Sequence, residues 1–212
     1  HTSPTHLSVP MPGSAAPDTA ATPPTPAPAA SLPPLPPLPR LETSRLLLRA
    51  FRADDAPVLV SELRDVEVAR ETLTVPHPYT AEHAQEFLSN VSKRFEAGKA
   101  VTWAITERGP AGDASGRIIG AVGLNLTRAH RRAELGYWIA KAHWGQGVAT
   151  EASRAVIAYG FDALELHRID AHHFVENPAS GAVMRKLGMQ REGRLRAMVW
   201  RDGVPRDLEL YA

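Results

Sequence analysis

The residues of this chain best suited to chemistry form a turn, Trp144-Gly145-Gln146-Gly147-Val148-Ala149-Thr150, between a strand-like and a helix-like segment. Backbone amides that open a helix lack an intrahelical acceptor and sit at the positive end of its dipole. Gly145 and Gly147 carry no side chain, so an anion can approach those amides closely. A pyrophosphate is the natural occupant. A nucleoside-triphosphate loop would need a lysine and a hydroxyl directly after its last glycine, but Val148 and Ala149 follow Gly147. A dinucleotide fingerprint would need a third glycine, and none follows. ATP and NAD both fit poorly. The plain alternative is a glycine turn that binds nothing.

Further along, Asn177-Pro178-Ala179-Ser180 follows a strand and opens another helix. By itself Asn177 reads as a helix cap. Glu134 begins the strand that runs into the glycine turn, where a carboxylate suits a general base, a role usually worth about 10²–10⁴-fold. Its competing role is an ion pair with Arg131 or Arg132. Nine histidines offer other bases. His77, between two prolines, is expected on a surface turn, though it could line a cleft. His172 and His173 are adjacent on a strand and so face opposite ways; at most one reaches a cleft, and a packed or solvated state is the default. No histidine spacing suits a metal, and none is expected. The absence of cysteine excludes disulfides, thiolate metal sites and a cysteine nucleophile.

These residues need a frame to hold them. Arg45–Phe51 reads as a mostly buried strand, and the Ala53-Asp54-Asp55-Ala56-Pro57 run starts a helix with an aspartate near its cap and proline in its first turn. Thr80 is the expected cap of a helix reaching Glu96, with Ala84, Phe87, Leu88, Val91 and Phe95 at helical spacing. Strands follow at Val101–Thr106 and Arg117–Leu126 around a glycine-rich turn at 109–116, and then at Glu134–Ile139. A helix over Thr150–Leu164, a strand over Arg168–Val175 and a helix over Ala179–Leu187 come next. The remainder reads as strands joined at an Asp202-Gly203 hairpin turn. The sum is an α+β, layered α/β fold with a mixed central sheet flanked by helices.

Composition narrows the remaining options. The chain has 212 residues, 43% hydrophobic and 22% charged, with a net charge of +1, which suits one globular domain. Thirteen of its 19 prolines fall in the first 40 positions. That stretch favours polyproline II and cannot pack a core, so residues 1–40 read as a tail or linker and 41–212 as the domain. Its leucine–proline pattern could alternatively dock in an aromatic groove. No run of about 18 apolar residues and no secretory leader is seen, so a cytoplasmic protein with no membrane partner is expected. The near-neutral charge argues against direct nucleic-acid binding, and the basic loop Arg128–Arg132 reads as solvated or as an attractor of acidic partners.

From Leu41 onward the chain resembles the GNAT superfamily of N-acetyltransferases, and within it the RimJ/RimL-type branch that acetylates ribosomal-protein N-termini. The resemblance rests on Leu41-Glu42-Thr43-Ser44-Arg45-Leu46-Leu47-Leu48-Arg49, Glu134-Leu135-Gly136-Tyr137-Trp138-Ile139, the glycine turn through Glu151-Ala152, Glu176-Asn177-Pro178-Ala179-Ser180 and Lys186-Leu187-Gly188-Met189. It implies that the amides of Gly145, Gln146, Gly147, Val148, Ala149 and Thr150 hold the pyrophosphate of acetyl-CoA. It implies that Trp138 and Ile139, on a strand splayed from its neighbour, pair with the pantetheine arm. A backbone N–H there would polarise the thioester carbonyl. Asn177 would bond the arm and Ser180 would sit near the sulfur. Where many members carry Arg or Gln at the first position of the glycine motif, this chain has Trp144. The tyrosine that serves many members as general acid falls at Met184, which leaves Ser180 or water. The implied reaction is direct attack of a neutral amine on the acetyl carbonyl, with Glu134 as base through a water. The acceptor implied first is the α-amino group of a protein or peptide. A small-molecule amine, or a non-catalytic acyl-CoA-binding module, are the alternatives, and the family's habits allow a homodimer.

Overall fold

Alternating apolar residues in successive segments build one open eight-stranded sheet with strand order β1-β2-β3-β4-β5-β6-β8-β7. The computed structural model describes residues 33–109 and 117–212. The strands are β1 (Leu41–Glu42), β2 (Leu46–Arg49), β3 (Ala100–Glu107), β4 (Ile118–Thr127), β5 (Arg132–Ile139), β6 (Arg168–Phe174), β7 (Arg191–Arg201) and β8 (Val204–Tyr211). Every neighbouring pair is antiparallel except β5 and β6. The turn expected at 109–116 lies largely outside the described residues, as does the proline-rich stretch before Pro33.

Strand alternation divides the core into two layers. Leu46, Leu48, Trp103, Val122, Leu124, Leu135 and Ile169 point to one face, where Val148, Ala152 and Val156 of α4 (Val148–Asp162) and Met184 of α5 (Pro178–Lys186) cover them. Ala104, Ala121 and Trp138 point to the other, against Leu59 and Leu63 of α1 (Ala56–Leu63), Val68 of α2 (Val66–Arg70) and Ala84 of α3 (Ala81–Glu96).

Most elements fall where the sequence puts them, with two differences. The single helix expected from Ala53 is a 3-10 turn (Ala53–Asp55), then α1, then a separate α2 capped by the Asp65 side chain. Asp55 is no simple cap: it is buried in a two-pronged ion pair with Arg49, both contacts 2.8 Å, and accepts from the Arg52 amide at 2.7 Å. Removing one partner of such a pair typically costs about 3–5 kcal/mol. The helix expected from Thr150 begins at Val148, because Gly147 at φ +80° ends the turn earlier. The hairpin between β7 and β8 uses Asp202 at φ +51° and Gly203 at φ +77°, the left-handed pair that such turns need.

The packed unit runs from Pro33 to Ala212. Leu35 and Leu38 lie against the α4-side core. The fully buried Trp103 indole donates to the Pro39 carbonyl at 2.8 Å. Proline's lack of an amide does not prevent its carbonyl from accepting. The residues from Pro33 to Arg40 thus contribute packing that the sequence assigns to a tail. Truncation at Pro33 should leave thermal stability unchanged, while truncation at Leu41 should lower it. An orphaned buried donor costs about 1–3 kcal/mol and each kcal/mol moves Tm by about 2–4 °C at this size, so calorimetry should show a drop of about 5 °C or more between the two truncations.

Candidate functional site

The site begins with a parting of strands. β5 and β6 pair in parallel only from Arg132–Arg168 to Leu135–Ala171. Beyond that, β6 turns to β8, pairing from Ala171–Tyr211 to Phe174–Leu208, while β5 stays with β4 as far as Ile139. Between Gly136–Ile139 and His172–Phe174 the sheet is open. The expected splay is therefore present.

Alternation decides which backbone groups face this gap. The Ala140 amide donates to the Ile119 carbonyl at 2.8 Å, which makes these residues a hydrogen-bonded antiparallel pair. By the same register Trp138 spends its amide on β4, and Tyr137 and Ile139 turn theirs to the gap. Of the two residues the sequence assigns to backbone pairing, Ile139 has the required direction. Trp138 contributes its buried side chain to the α1–α3 layer instead. The Ile139 carbonyl already accepts from the Trp144 indole at 2.7 Å, and the Phe174 carbonyl accepts from the Asn177 amide at 2.8 Å. The gap therefore presents mainly donors from β5.

The glycine turn stands at the end of β5. Gly145 and Gly147 take φ of +74° and +80°, a region costly for other residues. A Cβ at Gly145 would meet nothing within 4 Å, and one at Gly147 only the Arg45 guanidinium at 3.6 Å. No side chain caps α4. The amides of Gly147, Val148, Ala149 and Thr150 therefore face open space at the helix N-terminus. Gln146 uses its side chain internally, donating to the Ala142 carbonyl at 2.8 Å, so it adds only backbone to the cradle.

Glu151 ties this turn to the start of β2. Its Oε1 accepts from the Thr43 hydroxyl at 2.6 Å, the Ser44 hydroxyl at 3.2 Å and the Arg45 amide at 3.1 Å. Its Oε2 accepts from Arg45 Nε at 2.8 Å, and Arg45 Nη2 also reaches the Gln146 carbonyl at 3.1 Å. Partial burial pushes the Glu151 carboxyl upward, but the bonds from Thr43 and Arg45 together outweigh it and hold it below its usual range.

The two faces of the gap differ in chemistry. On the α4–α5 face the Tyr137 hydroxyl lies 2.7 Å from Ser180 Oγ, in the first turn of α5. Burial raises the phenol above its ordinary range against the opposing pull of that bond. Tyr137 is the residue that sequence reasoning missed; its position one strand residue before Trp138, facing away from it, was the available signal. Met184 is fully buried in the core. Asn177 caps α5, accepting from the Ser180 amide at 3.0 Å, and its Nδ2 donates to the Glu71 carbonyl at 3.4 Å.

On the opposite face, Glu134 Oε1 lies 3.3 Å from His172 Nδ1. Neither Arg131 nor Arg132 takes Glu134: Arg131 donates to the Glu165 carbonyl and Arg132 reaches Asp170 at 3.1 Å. His173 is buried on the α5 face with Nδ1 2.7 Å from the Phe174 carbonyl, and His77 is exposed. A cleft of about 260 Å³ opens beside the end of β6, lined by Arg70, Glu71, Phe174, Glu176, Asn177 and Arg201. Among the described residues no group of His, Cys, Asp and Glu could hold a metal, and no helix is long and apolar enough to cross a membrane.

Comparison with known proteins agrees with this geometry. The model of the acetyltransferase (GNAT) domain matches residues 45–190, which span β2 to the end of α5. The uncharacterized N-acetyltransferase YoaA of Bacillus subtilis is 34% identical over 173 residues, 81% of this chain and 94% of that protein. The ribosomal-protein-serine acetyltransferase of Escherichia coli is 32% identical over 96 residues, 45% of this chain and 54% of that protein. The structure of Mycobacterium smegmatis RimJ in complex with CoA-disulfide is similar at a TM-score of 0.67 and 25% identity, covering 78% of this chain and 80% of that one.

The Glu151 contacts predict a pH signature. A carboxylate whose folded pKa is depressed adds stability above its unfolded pKa, about 4.3, and loses it as pH falls through the folded value. Glu151→Ala should therefore lower Tm at pH 7 by about 3–7 °C, for about 1–2 kcal/mol of partly exposed charge-assisted bonds. The deficit should shrink below about pH 4.3, where wild type loses the same interaction. Melting curves from pH 3 to 7 check this; a deficit independent of pH would show that the carboxylate's charge is irrelevant.

Proposed function

The chain belongs to the GNAT acetyltransferases, and on that premise we propose that it transfers the acetyl group of acetyl-CoA to the α-amino group of a protein or peptide. The observation that carries the reading is the junction of two donor sets: the gap-facing amides of β5 lead directly into the open amides of the Gly145–Thr150 turn. A linear molecule with amides at one end and a pyrophosphate at the other matches both. The cradle fits it, since the space a Cβ would fill at Gly145 and Gly147 is open and Arg45 lends positive charge. Bound acetyl-CoA supplies the activated thioester.

The chain's own residues divide the work. The amides of Gly145, Gln146, Gly147, Val148, Ala149 and Thr150 bind the pyrophosphate, with Arg45 beside them. The Ile139 amide, its carbonyl pinned by Trp144, is held for the thioester oxygen, where a prepositioned donor is worth about 10²–10³-fold. Trp138 supports that strand from behind through its core packing. Asn177 fixes the first turn of α5 and with it Ser180, whose hydroxyl would supply a proton to the departing sulfur. Tyr137 holds that hydroxyl at 2.7 Å and substitutes for the phenol that Met184 cannot provide.

The acceptor side favours a peptide over a small polycation. The cleft beside β6 carries both signs in equal number, Arg70, Arg201 and Arg206 with Glu71, Glu176 and Asp202. A polyamine pocket would be one-sidedly acidic, whereas a mixed rim suits a neutral backbone with varied side chains.

Thermal melting in the presence of acetyl-CoA, CoA, ATP and NAD tests the cofactor. A ligand at 100 times its Kd adds about 2.7 kcal/mol, or about 5–10 °C here. CoA and acetyl-CoA should raise Tm and the nucleotides should not. Gly147→Asp should abolish the CoA effect by placing a carboxylate against the pyrophosphate, while Gly147→Ala should keep part of it. An aspartate variant that binds CoA normally would displace the site from the turn. Thiol release with short Ser- or Ala-initiated peptides against spermidine then separates the acceptor classes.

A further inference from the structure

Gly136 sits on the gap-facing stretch of β5, exposed, on the same face as Glu134 and Trp138. A Cβ built there would meet nothing within 4 Å. The open spot lies between Glu134 and Trp138, its same-face neighbours along β5, with His172 across the gap at the first position of β6 beyond its pairing with β5. His172 faces the same way as Glu134, since the two touch at 3.3 Å. With a carboxylate at Nδ1, that nitrogen carries the proton and donates. The lone pair is left on Nε2, which has no hydrogen-bond partner among the described residues.

We propose that His172 Nε2 is the base that takes the proton from the acceptor ammonium in the space above Gly136, with Glu134 as the positioning residue that fixes its tautomer. The proposal rests on the acetyl-transfer reading. In the step, the ammonium N–H bond breaks, its proton goes to Nε2, and the freed nitrogen lone pair attacks the acetyl carbonyl. The nitrogen loses its second proton as the amide forms and the C–S bond breaks. The sulfur takes one proton through Ser180 and His172 returns the other to solvent, so an ammonium and a thioester give an amide, a thiol and one proton. An imidazole with an ordinary value near 6.5, raised by its bond to Glu134, is better matched to an amine of pKa about 8 than a carboxylate is. The bond from Glu134 is the largest influence on His172, opposed by partial burial; Asp170 adds to the rise and Arg132 offsets part of it. Arg168 engages Asp170 at 3.5 Å, and across β8 the register partner of His172 is Leu210, which carries no charge.

The sign follows directly. Below its pKa His172 is protonated on both nitrogens and Nε2 can accept nothing, so kcat/KM falls as pH drops through that value. Removing the Glu134 charge lowers the pKa and moves the acid limb to lower pH. His172→Gln should reduce kcat/KM for the peptide amine by about 10²–10³-fold near neutral pH. The loss should narrow above about pH 8.5, where most of the amine is already neutral. Glu134→Gln should move the His172 imidazole titration, read by NMR in the ligand-free protein, to lower pH and shift the kinetic limb equally. Both variants should keep the CoA-induced rise in Tm, which shows that the fold and cradle survive. A His172→Gln enzyme with wild-type kcat/KM and profile overturns the proposal, as does an NMR titration that moves in Glu134→Gln while the kinetic limb stays. Wild-type protein without a CoA-induced Tm rise would instead remove the acetyl-transfer reading itself, and this proposal with it.

Discussion

Every strand in the middle of a sheet is expected to spend its amides and carbonyls on its neighbours, and the parting of β5 from β6 after Leu135 and Ala171 suspends that rule. An unpaired buried backbone group costs about 1–3 kcal/mol, so a gap of this kind persists only where water or a ligand can enter. The chain limits the cost by pinning two carbonyls at the rim, Ile139 with the Trp144 indole and Phe174 with the Asn177 amide. What stays open is then biased toward donors. That bias gives the gap its chemical character, because donors in a fixed row suit an amide-bearing arm and a polarised carbonyl.

The same economy explains why the glycine turn follows at once. Trp144 serves as the hinge: its backbone begins the turn, and its side chain bonds back to the last residue of β5. Glu151 then ties the first turn of α4 to Thr43, Ser44 and Arg45 at the opposite end of the sequence. Cradle and gap are thereby fixed to each other through two independent ties. The positive φ at Gly145 and Gly147 is stored strain for any other residue, and it keeps the amides of the turn pointed outward.

The sequence made much of this legible, for identifiable reasons. Glycine pairs, helical spacing over Ala84–Phe95 and the Asp202-Gly203 turn are local signals, and each element they imply is present. The splay and the direction of single amides are not local. Whether Trp138 or Ile139 faces the gap depends on register with β4, which one residue of slippage would invert. Glu134 could equally have met Arg131 or Arg132 by proximity in sequence; the parallel pairing with β6 brings His172 to it instead. The packing of Leu35, Leu38 and Pro39 was hidden because proline-rich composition describes a segment's own preferences and says nothing of a tryptophan elsewhere that needs an acceptor. Asp55 misled in the opposite sense, since a cap-like position concealed a buried ion pair.

The absence of a tyrosine at position 184 left open a chain with the fold but no proton donor. Met184 itself is a residue of α5 buried in the apolar core. In the proposed reading a phenol reaches Ser180 from β5 instead, where Tyr137 turns toward α5. The exchange has a mechanical logic. A tyrosine on the helix depends on how α5 sits over the sheet, whereas a tyrosine on β5 shares its strand with the Ile139 amide. In the proposed reading, the residue that supports Ser180 and the amide assigned to the thioester oxygen then share one strand, their backbones about 6.6 Å apart over two residues. Only Ser180 needs to follow the helix, and Asn177, capping that same turn, holds it there.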